Sequence, residues 1–179
     1  MMRDRNIQVG VFVPPHHSNR ENVALAMRRD LALVDWLDEL GYAEFWLGEH
    51  HSGGYQIYGS PELFIAAAAE RTHRIKLGAA VISMPYHNPL IVADRIVQLD
   101  YQTRGRAMFG FGPGALSSDA HMLGIPIPES RDRMMDGVNL VVRLLDGETI
   151  PAKADWYDLR DARVQLEPFT RPRPTLAVA

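Results

Sequence analysis

The stretch IKLGAAVISMPYHNP, residues 75–89, decides the fold. Its first nine residues are nearly all apolar with no polar alternation, as expected of a strand covered on both faces. The run then breaks, and Asn88-Pro89 follows as a cap residue before a proline, whose missing N–H costs nothing in the first turn of a helix. A doubly covered strand feeding a sharply started helix is one unit of a parallel α/β sheet.

The same unit recurs on either side. Short apolar runs stand at IQVGVFV (7–13), AEFWLGE (43–49), RAMFGFG (106–112) and TLAVA (175–179). Between them, residues 22–41 place Met27, Leu31, Val34 and Leu37 on one helical stripe, with Gly41 as the stop. Ser60-Pro61 starts a second helix, and residues 130–146 form another, with Met134, Val138, Val141 and Leu145 on its stripe and Gly147 at its end. Residues 151–169 read as a hairpin or extended insertion. Strand and helix alternate throughout, so the crossover rule leaves a doubly wound sheet or a barrel, in one α/β domain spanning 1–179. A closed eight-stranded barrel takes about 250 residues. Five strands cannot close, so the reading expects a chain truncated before the C-terminal half of a barrel, with apolar sheet edges to be covered.

Composition narrows the partners. The 179 residues carry a net charge of −3 and no basic tract, which gives no electrostatic reason for nucleic acid or an anionic membrane. There is no cysteine, hence no disulfide, thiolate metal site or cysteine nucleophile. The start shows no apolar run of signal-peptide or membrane-span length, so a cytoplasmic protein is the expectation.

Within EFWLGEHHSGG (44–54), successive side chains of an extended chain point to opposite sides, which puts Glu49 and His51 together and His50 opposite. The triplet cannot form one metal cluster while extended. A metal would need His16, His17, His50 or His87 to converge, and no H-E-x-x-H spacing is present. A histidine in a pocket at the C-terminal rim of the sheet is the favoured reading, ahead of a polar strand end or a metal ligand. His16 and His17 read as a solvated loop, and His73 and His121 as surface positions. GFGPGA (110–115) matches neither dinucleotide nor P-loop spacing, leaving close backbone approach to a flat ligand or a plain tight turn. Ala79 and Ala80 either make room for a ligand or pack on a helix.

Taken in order, GVFVPP, EFWLGEHH, IKLGAAVISMPYHNP and GRAMFGFGPGALSSDAHMLG resemble the successive strand ends of the bacterial luciferase-like, flavin-dependent monooxygenases. DWYDLRDARVQLEPFTRPRP is similar to their limonene monooxygenase-like branch. The resemblance implies a partial TIM (β/α)8 barrel with the first four βα units plus strand five. It also implies a homodimer, reduced FMN from a separate reductase, and insertion of one atom of O2 into a small apolar substrate. His50 matches the family's active-site histidine, a general acid–base or a stabiliser of the flavin's oxygen adduct. Ala80 and Val81 match the pair whose backbone meets the isoalloxazine, often through a non-proline cis peptide. Gly112 and Gly114 match the turn beside the flavin, Asp119 an acidic residue of that loop, and Phe12 a pocket wall. Phe45, Met84, Phe111 and Met122 are further wall candidates.

The departures are specific. Gly112 stands where luciferases carry a reactive cysteine, and Pro113 where some members place an arginine on the phosphate. The family's serine and threonine phosphate contacts follow strand five, just past Ala179, so this chain is expected to hold flavin weakly. A deazaflavin-dependent oxidoreductase, a non-catalytic flavoprotein or assembly fragment, and a metal-dependent hydrolase on the same architecture remain as alternatives.

Overall fold

The computed structural model describes residues 7–179. Residues 1–6, part of the start read as having no leader, lie outside the described residues. The elements run β1 (Gly10–Val13), α1 (Val23–Glu39), β2 (Glu44–Leu47), α2 (Pro61–Ala69), β3 (Lys76–Ser83), α3 (Pro89–Thr103), β4 (Ala107–Gly112), α4 (Ser117–Leu123), α5 (Ser130–Leu145), β5 (Ile150–Lys153), β6 (Asp158–Ala162) and β7 (Thr175–Val178). Five strands pair in parallel in the order β1-β2-β3-β4-β7, and β5 and β6 form the separate antiparallel hairpin. The architecture is the partial barrel expected, with five helices and the hairpin inserted before the last barrel strand.

Strand parity divides the sheet into two faces. Phe45, Leu47, Leu77, Ala79, Phe109 and Phe111 are fully buried in one core with Val34, Ile65, Val92 and Ile96 from the helices. Each large side chain so buried contributes about 1.5–3 kcal/mol of hydrophobic stabilisation. The opposite parity forms a row across the sheet, Phe12, Trp46, Gly78, Met108 and Thr175, set by the strand register. Trp46 lies flat over Gly78, where a Cβ would come within 2.1 Å of the indole, and its Nε1 donates to Glu44 at 2.9 Å.

The helix starts follow local chemistry. Asn22 and Asn88 each accept two backbone N–H groups in the first turns of α1 and α3. Ser60 does not cap α2; its hydroxyl donates to Glu62 at 2.9 Å instead. The short α4 was not visible in the sequence, because Leu116 precedes it with no capping side chain. On α1, Val34 and Leu37 are buried, while Met27 and Leu31 pack half-buried against the core.

Candidate functional site

The residues at issue lie where β1, β2, β3 and β4 end. Three segments are laced together there. His17 N–H donates to Tyr55 O, Ile57 N–H to Pro15 O and His50 N–H to Tyr58 O. Beneath them His17 Nε2 lies 2.7 Å from Asp30, to which Tyr58 also donates at 2.9 Å. The solvated-loop expectation therefore holds for exposed His16 and fails for His17, whose side chain is 6% accessible. The cause is Asp30, a buried carboxylate of α1 that needs donors. Burial, then Asp30, pushes the Tyr58 hydroxyl well above the usual tyrosine range, so it stays a donor.

A cavity of about 200 Å3 opens among these ends. All seven residues singled out from sequence line it: Phe12, His50, Ala80, Val81, Gly112, Gly114 and Asp119. The peptide bond between Ala80 and Val81 is cis, and the β3–β4 ladder is interrupted between Ala79 and Ile82. Gly112 lies against this segment so tightly that a Cβ would stand 2.4 Å from Val81 Cγ2. Gly114, at φ +66°, faces the ring of Tyr86, which donates to the Gly114 carbonyl at 2.6 Å. The wall is therefore backbone and small side chains, a surface suited to a flat ligand. Of the other wall candidates, Phe45, Met84 and Phe111 are plain core at 0–1% exposure and Met122 is exposed, so none of these lines the cavity.

Two carboxylates, each with imidazole partners, flank the wall, with His50 and Glu49 on opposite sides of the chain as the alternation of residues 49–51 implies. His50 Nδ1 is 3.1 Å from Asp119 Oδ2; the carboxylate can only accept, so Nδ1 donates and Nε2 is left free of this pair. Asp119 is buried, which raises its affinity for a proton, but Ser52, His50 and the His51 backbone outweigh this and hold it below the usual carboxylate range. Its Oδ1 is buried without a hydrogen-bond partner.

On the other side Glu49, 4% exposed, accepts from Ser83 N–H at 2.6 Å and from the Nε2 atoms of His51 and His87 at 2.8 Å each. Burial opposes its charge, yet these donors hold it down at about 2. The hydrogen bond to Glu49 raises His51 despite burial. Tyr86 is pushed up to about 12 by burial and by the charges of Asp119 and Glu49. Among the described residues no lysine or arginine lines the cavity. Among the described residues no group of three or more His, Asp or Glu side chains is placed to hold a metal ion, and no helix is long and apolar enough to cross a membrane.

The Glu49–His51 pair predicts a pH profile. A depressed carboxylate contributes stability that is present above its ordinary range near 4.5 and lost as pH falls toward 2, on the order of 3 kcal/mol for this buried group. A raised histidine contributes below its ordinary value of about 6.5 and loses that as pH rises through its folded value. The thermal midpoint of the chain is expected to peak at about pH 5–6.5. Glu49→Gln flattens the acid limb; an unchanged acid limb in a melting series refutes the assignment.

Comparison with known proteins adds the family. Residues 7–179 match the family of luciferase-like monooxygenases. The chain belongs to this family. Limonene 1,2-monooxygenase of Rhodococcus erythropolis is 51% identical over 164 residues, covering 92% of this chain and 42% of that protein. A monooxygenase from Streptomyces bottropensis, RslO1, superposes with a TM-score of 0.89 at 28% identity, over 96% of this chain and 53% of that one. The oxygenating constituent of 3,6-diketocamphane monooxygenase from Pseudomonas putida, solved with FMN, shares the fold at a TM-score of 0.86 and 21% identity, covering 96% of this chain and 51% of its own. An F420-dependent glucose-6-phosphate dehydrogenase of Amycolatopsis mediterranei is 26% identical over 151 residues, 79% of this chain and 44% of that protein. The luciferase-like chain thus spans about half the length, or less, of the relatives it matches.

Proposed function

We propose that this chain forms the flavin-ring wall of an FMN-dependent monooxygenase that inserts one atom of O2 into a small apolar substrate. The observation that carries the reading is the His50–Asp119 pair beside a wall of backbone and glycine. Ala80, Val81, Gly112 and Gly114 would lie along the ring, Phe12 at its edge, and Asp119 Oδ1, buried without a donor, would meet a ring N–H. Reduced flavin supplies the electrons that activate O2. His50, oriented by Asp119, holds or delivers a proton at Nε2 toward the cavity. The surrounding prolines, alanines and Leu116 make the cavity side of this part-exposed imidazole apolar. The cavity is smaller than the roughly 300–1,000 Å3 usual for ligand pockets, as befits a wall built by only part of a barrel.

The reading carries with it a separate reductase for FMN, a homodimer and a cytoplasmic location. Because, among the described residues, no lysine or arginine lines the cavity, the phosphate is left without a permanent cation from these residues. FMN and riboflavin are therefore expected to bind the chain with weak affinities within about threefold of each other, read by flavin fluorescence. Absence of binding by a full-length protein as well overturns the proposal. The F420-dependent relative favours deazaflavin hydride transfer as the second reading. Preference for F420 over FMN in the same titration selects it, and a stoichiometric tightly held metal selects a hydrolase.

A further inference from the structure

We infer that Glu49 is a positioning residue: through Ser83, His51 and His87 it fixes the end of β3 and its following turn as a rigid wall of the ligand cavity. The inference rests on the flavin reading for what lies against the wall, but its geometry stands independently.

Three donors from two chain segments, 49–51 and 83–87, meet at this one carboxylate. Oε2 takes the Ser83 N–H, two residues beyond Val81, and Oε1 takes both imidazole Nε2–H groups. The hydrogen bond of the second imidazole is directed from outside. Arg95 Nη2 lies 3.2 Å from His87 Nδ1, and a guanidinium can only donate. His87 Nδ1 is therefore an acceptor, its proton sits on Nε2, and that proton points at Glu49. Arg95 in turn faces Glu62 at 3.2 Å, and Glu62 accepts from Ser60 at the start of α2. The chain of contacts runs from the base of α2, through α3, to the end of β3. The cavity is lined by Glu49, Ser83 and Tyr86, so this network borders it directly.

Each donor depends on the carboxylate. Removing its charge weakens the hold on one backbone N–H, of buried Ser83, and on two part-buried imidazole N–H groups; loss at the buried N–H is the costly direction. The segment most affected is 83–87, which carries Tyr86 and hence the hydrogen bond to Gly114 on the far wall. His51 is edge-on to Tyr86 with ring centroids 5.8 Å apart, a further contact between the segments 49–51 and 83–87. The titratable groups around His51 are Glu49, Asp119 and Glu62, together with Tyr86 edge-on to it and His87, which shares Glu49 Oε1.

The test uses the full chain and Glu49→Gln, followed by imidazole nitrogen NMR, amide exchange and FMN titration. In the unsubstituted chain His87 is expected as the Nε2–H form and His51 to titrate above about 6.5. In the variant His51 moves back toward that value, Ser83 and Tyr86 amides exchange roughly tenfold faster or more, and FMN affinity falls roughly tenfold. If the variant does not fold, the tautomer of His87 and the titration of His51 in the unsubstituted chain decide. The Nδ1–H form, or no elevation of His51, overturns the inference. Lost FMN affinity with unchanged exchange at Ser83 overturns it too, since Glu49 would then touch the ligand directly. If the unsubstituted chain takes up no FMN, the flavin reading falls while exchange and imidazole shifts still decide the positioning role.

Discussion

His50→Ala, introduced into a full-length protein carrying this sequence, is expected to cut product formation about a hundredfold or more while leaving FMN affinity within about twofold. The electrons drawn from reduced flavin then appear as hydrogen peroxide. The reason is the division of labour in the cavity. On the proposed reading the ring would be received by backbone and glycines, whereas His50, held by Asp119, would supply the proton at Nε2. Asp119→Asn is expected to be milder, because it leaves the imidazole present but removes the acceptor that fixes its Nδ1 proton. The check is product against peroxide in one assay. Unchanged coupling in His50→Ala would remove the histidine from the mechanism.

The second large effect is steric. Gly112→Val is expected to abolish measurable flavin binding, at least a hundredfold, and to destabilise the fold by about 1–3 kcal/mol through overpacking. A Cβ at this position already stands 2.4 Å from Val81 Cγ2 and 3.1 Å from its Cβ, so the wall itself has to move. Gly124→Ala is the control. At φ +68° with nothing within 4 Å of its added carbon, it carries backbone strain alone, and costs about 1 kcal/mol without touching the cavity. If Gly112→Val binds flavin like the unsubstituted chain, the cavity is not the flavin site.

Much of the architecture was legible because apolar runs and Asn-Pro starts are local signals. Strands 10–13, 44–47, 76–83, 107–112 and 175–178 fall inside the runs marked in the sequence, and the hairpin of β5 and β6 falls where an extended insertion was expected. What escaped was non-local or uncapped. Seven-residue α4 has no capping side chain, and the burial of His17 depends on Asp30 in the following helix. The split of residues 49–51 to two sides followed from alternation. The destinations did not: Asp119 lies 69 residues from His50, and His87 lies 38 from Glu49. Parity had more to give. Phe45 and Phe111 sit one residue out of phase with Trp46 and Gly112, which assigns them to the helix side and removes them as cavity walls.

Trp46, against Gly78 and held by Glu44, stands two residues before cavity-lining Gly48, which follows the end of β2, roughly 7 Å along the extended chain. Indole emission overlaps flavin absorption, so this side chain would be an energy-transfer donor to a flavin held in the nearby cavity. With Trp36 and Trp156 changed to phenylalanine, its ultraviolet glow becomes a private optical gauge of occupancy, dimming as each ligand docks.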